Sequence, residues 1–281
     1  MTSPANEQTK PKGLSQRRLL LRRTKALLQR DVFLLSGSLP RLLWLFYWPT
    51  MNMLVWGFLN TYLVKQSTGI ALVAGVVLGG AMLWDVLSRC QFGLLQPFME
   101  EIWARNLGNL FATPIRPVEY AADLMLISLL RMTLSMIPCV ILAYFFFGFW
   151  LPGLGLSLFG FALNLIMTGW WFGFLIIAML MRFGPSAEWL GWMAIALLSP
   201  FVAVYYPVSI LPEWVQHVSW ALPPTYVFEG MRAMLNHHEV RPDLLIHAFL
   251  LNLVYLTLAG IVYLRVFEIT RQNNGLLQTG E

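Results

Sequence analysis

The chain has 281 residues, of which 58% are hydrophobic and only 12% charged, with a mean hydropathy of +0.63. Soluble domains carry about a quarter charged residues, and half that share does not cover a water-soluble globule, which argues against a soluble enzyme or a nucleic-acid-binding domain. Cys90 and Cys139 both lie in apolar stretches, so neither a disulfide framework nor a thiolate zinc site is expected, and the meaning of the net charge of +5 depends on where the charges sit.

Residues 1–13 are polar, contain Pro and Gly, and are expected to be a disordered cytoplasmic tail. Residues 14–38 follow with leucines at helical spacing among arginines: Leu20, Leu21, Leu27, Leu28, Leu34 and Leu35. Such a basic amphipathic helix lies in the membrane interface with its arginines on the headgroups. Its plainest role is to anchor the topology.

A bilayer core about 30 Å thick needs about 20 apolar residues of helix. The uncharged runs place spans at 42–64 and at 66–84, the latter continuing past Asp85 and Arg89. The uncharged run 132–181 is too long for one crossing, and Leu151-Pro-Gly-Leu-Gly155 divides it into spans at about 123–150 and 154–181. Two more follow at about 189–206 and 244–264. The expected fold is therefore an all-α polytopic membrane protein, with a six-span domain over 39–265 and a cytoplasmic tail over 266–281. No cleavable signal peptide and no internal repeat is read.

Basic residues decide the orientation. Lys10, Lys12, Arg17, Arg18, Arg22, Arg23, Lys25, Arg30 and Arg41 precede the first span; Arg105, Arg116, Arg182, Arg265 and Arg271 fall on the same side. The other side carries Lys65, Arg232 and Arg241. Both termini are expected in the cytoplasm, with the protein in the cell (inner or plasma) membrane. The basic excess is read as topological, with the lipid bilayer and not nucleic acid as its partner.

Two connections have character of their own. Residues 98–120 place charges first, then Ile102, Leu107, Leu110 and Phe111, and Pro114 stops the helix. A short amphipathic helix of this kind suits either docking on a partner or packing on the bilayer surface. Residues 207–226 are apolar but cut by four prolines, too short to cross, and suited to dipping into the outer leaflet and returning. Glu229 and Arg232, three apart, share a helix face and are placed to pair.

In this order the segments resemble the type-two permease family of ATP-binding cassette exporters. The loop has the family's Glu-rich start and Leu-x-x-Thr-Pro end in Glu100, Glu101, Leu110, Thr113 and Pro114. The Leu-Pro-x-Trp segment is matched by Leu211, Pro212 and Trp214, the Asn-Pro-x-Thr-Tyr element by Pro224, Thr225 and Tyr226, and the Glu-x-x-Arg by Glu229 and Arg232. Pro223 stands where the family has Asn. The resemblance implies a coupling helix at about 99–113, with Arg105, Leu107 and Phe111 among its contacts, seated on a separate ATPase subunit. It implies a re-entrant pair over about 207–226 closing the outer end of the pathway, and two permease copies forming that pathway, as a homodimer or a heterodimer. The chain contains no G-x-x-x-x-G-K-[ST] loop. ATP and Mg are accordingly expected on the partner ATPase, with no cofactor and no catalytic residue in this chain. The cargo implied is amphiphilic: lipid-like, drug-like or glycan.

Arg131 falls inside the third span, where an ionised group needs a partner or a water-filled cavity, and it is a pathway or gate candidate with Pro212, Trp214, Tyr226, Glu229 and Arg232. Asp85 and Arg89, four apart, are read as a structural pair. Most tryptophans are read as interfacial belt residues. Glu239, Asp243 and His247 are spaced by four, as a metalloenzyme would want, but Pro242 interrupts any helix through them and no metal site is expected. A metal-dependent membrane enzyme, or a structural subunit of a membrane complex, is the alternative function.

Overall fold

The computed structural model describes residues 16–66, 71–112, 115–237 and 239–272. The expected disordered tail at 1–13 lies outside them. All regular structure among the described residues is helical: α1 (Gln16–Ser36), α2 (Leu39–Gln66), α3 (Ala71–Trp103), α4 (Leu107–Ala112), α5 (Pro117–Phe147), α6 (Gly155–Phe183), α7 (Glu188–Phe201), α8 (Glu213–Trp220), α9 (Pro223–His237) and α10 (Pro242–Gln272). Among the described residues, four segments are long and apolar enough to cross a bilayer: Leu39–Lys65, Pro117–Phe147, Leu151–Phe183 and Pro242–Gln272. The 33-residue α3 carries Asp85, Arg89, Glu100 and Glu101 along its length. α7 has 14 residues, about 21 Å at 1.5 Å each, and stops at Phe201 instead of reaching residue 206. Pro200 occupies its last turn, and Ala203 turns the chain with φ of 53°. α10 runs through Gln272, so helix replaces the start of the expected 266–281 tail; residues 273–281 are outside the described set.

Local chemistry sets the helix ends. Pro117 opens α5 with φ already helical, and the Glu119 carboxylate accepts the Arg116 backbone N–H at 3.0 Å. α5 closes at Gly148, whose φ of 65° lets its N–H reach Tyr144 O at 2.9 Å while Phe149 reaches Ala143 O at 3.2 Å.

Packing divides into two apolar clusters. One holds Leu27, Phe98, Tyr120, Tyr263 and Phe267, where α1, the end of α3, the start of α5 and the end of α10 meet. The other holds Met53, Val204, Phe228, Met231 and Ala248 at the opposite end. α6 and α10 run side by side in the same direction, with contacts advancing from Thr168–Asn252 through Trp171–Tyr255 to Phe174–Tyr263. A close approach tightens the centre: a Cβ on Gly169 of α6 would stand 2.8 Å from Leu87 O and 2.7 Å from Cys90 Cβ of α3. Small residues permit such contact where helices associate in lipid by van der Waals packing alone.

Candidate functional site

At one end, arginines of the first two helices clamp carboxylates on α3 and α5. Arg23 pairs with Glu119 at 3.5 Å, Arg30 with both Asp31 and Glu101 at 2.9 Å, and Arg41 with Glu100 at 3.3 Å. Burial acts to lower the Arg30 guanidinium, yet the Asp31 and Glu101 carboxylates outweigh it and hold it above its ordinary value. On α1, Leu27, Asp31 and Leu35 recur at four-residue spacing and are all buried, so this face packs on the bundle.

The sequence stretch 99–113 is not one continuous helix. Glu100 and Glu101 belong to the last turn of α3; the chain then bends at Ala104–Asn106, with Arg105 at φ 51°, before the six-residue α4. Asn106 secures the bend: its N–H donates to Glu101 O at 2.9 Å and its Nδ2 to the Glu101 carboxylate at 2.7 Å. Glu101 is thus buried against α1 and Asn106, while Arg105 is exposed and Leu107 buried. Thr113, Pro114 and the side chains of Leu110 and Phe111 lie outside the described residues.

At the other end, α9 ties down the irregular chain after α7. Arg232 Nη1 donates to Ala203 O at 2.8 Å, and its Nη2 pairs with Glu229 at 2.9 Å. The Glu229 carboxylate also accepts the Val208 N–H at 2.8 Å. Pro212 heads α8, its carbonyl accepting N–H groups of Val215 and Gln216 at 2.9 and 3.0 Å. Trp214 is exposed, whereas Tyr226 donates to Trp220 O at 2.8 Å and stacks on His247 at 6.0 Å. Glu229 and Arg232 therefore form one unit with the chain between α7 and α8; Pro212 and Trp214 lie beside it without joining the pair.

Arg131 stands apart from that unit. Its side chain is 4% exposed and reaches Glu100 at 3.9 Å. It lines a cavity of about 630 Å³ together with Arg41, Arg89, Trp44, Trp48 and Trp192. Sequence reasoning singled out Arg131 but not Arg41 or Trp192 as its companions, because α2, α3, α5 and α7 each supply part of the wall and no linear spacing connects them. Asp85 takes two hydrogen bonds from Asn52 Nδ2 at 3.1 Å and lies 4.0 Å from Arg89.

The model of the ABC-2 type transporter family matches residues 22–236. The chain belongs to the ABC-2 type transporter family. The match runs from α1 to the end of α9, so it takes in the arginine clamps, the bend before α4 and the Glu229–Arg232 unit. The protein is thus a transmembrane permease component of a transporter, a multi-pass membrane protein. ABC-2 permeases normally work with ATP-binding cassette ATPase subunits. No curated protein matches the chain.

The residues behind the enzyme alternative do not assemble. Asp243 pairs with Arg241 at 2.8 Å, and His247 Nδ1 lies 2.7 Å from the Asp243 backbone oxygen. No three His, Cys, Asp or Glu residues are grouped to hold a metal among the described residues.

Proposed function

We propose that this ABC-2 permease is the membrane-spanning half of an ATP-driven exporter of an amphiphilic cargo. Two copies enclose the pathway, and separate ATPase subunits hold ATP and Mg. The observation that carries the reading is the family match together with the concentration of arginines at one end of the bundle. Under the positive-inside rule that end faces the cytoplasm, which brings α1 and the C-terminal end of α10 to the inner surface. The six crossings are α2, α3, α5, α6, α10 and α7 completed by the irregular chain at 202–207, since α7 alone is too short.

α4 with the bend at Ala104–Asn106 is the coupling element. Its lead-in is secured to α1 through Glu101–Arg30 and to α2 through Glu100–Arg41. Movement of a bound ATPase would then pull on the arginine clamps, a two-state element biased from another subunit. α8 and the start of α9 form the re-entrant closure at the outer end. Co-purification of the cognate ATPase with the full-length permease tests the assignment. Arg105→Glu and Leu110→Asp are expected to abolish association while leaving the permease folded; retention of the ATPase by both variants overturns it.

A further inference from the structure

The cavity beside Arg131 joins tryptophans and guanidinium groups. Trp44 and Trp48 of α2 and Trp192 of α7 line it. Three guanidinium groups line it as well: Arg41, Arg89 and Arg131. Arg89 and Arg131 make no hydrogen bond to any described residue, and the Nε of each is buried without a partner. Their carboxylates lie at the outer limit of an ion pair, beyond hydrogen-bond distance, and are already engaged. Asp85, 4.0 Å from Arg89, is held by Asn52; Glu100, 3.9 Å from Arg131, is shared with Arg41 at 3.3 Å. Glu188, the one lining carboxylate among the described residues, accepts from Trp103 Nε1 at 3.3 Å.

A buried guanidinium with unused donors is costly unless an acceptor completes it. The planar donor fork of arginine matches phosphate oxygens bidentately, and the tryptophan wall suits an acyl or isoprenoid chain. We infer that this cavity takes an amphiphile with a phosphate head group, the head between Arg89 and Arg131 and the chain along Trp44, Trp48 and Trp192, as the transported cargo. The inference rests on the permease reading and narrows its substrate class.

The test uses the full-length permease in phosphatidylcholine nanodiscs, with a phosphatidic acid carrying a dansyl-labelled acyl chain. Energy transfer from the tryptophans reports occupancy. Saturable transfer is expected, displaced by unlabelled phosphatidic acid but not by diacylglycerol of the same chains or by millimolar inorganic phosphate. Arg89→Gln and Arg131→Gln should each weaken binding about tenfold or more, Arg131→Lys less, and Arg265→Gln not at all. Equal displacement by diacylglycerol, displacement by inorganic phosphate, or unchanged affinity in both Gln variants overturns the inference. The competition on the parent chain decides even if a variant fails to fold. With the ATPase and ATP added, release of the label is expected; retention during ATP hydrolysis marks a resident lipid and overturns the cargo assignment. ATPase co-purification is read separately, so failure here leaves the permease reading standing.

Discussion

Arg232 donates to the backbone oxygen of Ala203 at 2.8 Å across 29 residues of chain. Ala203 has φ of 53° and no exposed surface. Irregular backbone at membrane depth is tolerated only where protein satisfies it, and here one guanidinium does so while Glu229 takes the Val208 N–H. The Glu-x-x-Arg motif is therefore a brace for the break between α7 and α8.

Removing that brace should be expensive. Arg232→Ala leaves the buried Ala203 and Val204 carbonyls without this donor and the Glu229 carboxylate with the Val208 N–H alone, and should cost about 3 kcal/mol. Ala203→Gly relieves the positive φ and should be neutral or stabilise by up to about 1 kcal/mol. Thermal unfolding in detergent, followed by intrinsic fluorescence, measures both.

Asn252 holds α6 to α10. Its Oδ1 accepts from Thr168 Oγ1 at 2.9 Å and Trp171 Nε1 at 3.1 Å, and its Nδ2 donates to Asn164 O at 3.0 Å. All four residues are buried. Asn252→Leu should destabilise by about 1–3 kcal/mol, visible as a lower melting temperature of the purified permease. A melting temperature equal to that of the parent would show the network to be energetically idle.

Gly169 has no room for a side chain. A methyl group there would meet the Leu87 carbonyl and Cys90 Cβ inside contact distance, so Gly169→Ala should cost about 1–3 kcal/mol by forcing α3 and α6 apart. Gly260, with nothing within 4 Å of its Cβ position, is the matched control: Gly260→Ala should leave the melting temperature unchanged or slightly raised.

Arg30 joins α1 to α3 through Glu101 and also engages Asp31. Arg30→Gln strands the buried Asp31 carboxylate, leaves Glu101 with Asn106 alone, and should loosen α1 from the bundle. The expected readout is faster tryptic cleavage at Arg22, Arg23 and Lys25, with the core helices still protected. Cleavage at the parent rate would show that Leu27 and Leu35 hold α1 without the ion pairs.

The helices were readable where one local signal sufficed. Uncharged runs located α2 and α6 to within three residues at each end and α5 and α10 to within eight, because the lipid-spanning part of a helix must be apolar. The end of α7 was not readable, since its break depends on Arg232, which lies 29 residues beyond Ala203. Glu100 and Glu101 read as the start of a loop helix, but their partners Arg41 and Arg30 lie on other helices, and those pairs hold them in the last turn of α3. Arg131 announced itself as a charge in an apolar run, whereas the cavity around it did not, because its wall is gathered from four helices.

By itself the amino-acid order determined that this protein lives in lipid, is helical, and carries most of its basic residues at one end, since those properties follow from the polarity of each segment alone. Tertiary structure decided which arginine meets which carboxylate, where α7 stops, and that two guanidinium groups are left with unused donors beside a tryptophan wall. Such outcomes depend on distances between residues far apart in the chain, and only packing sets those distances.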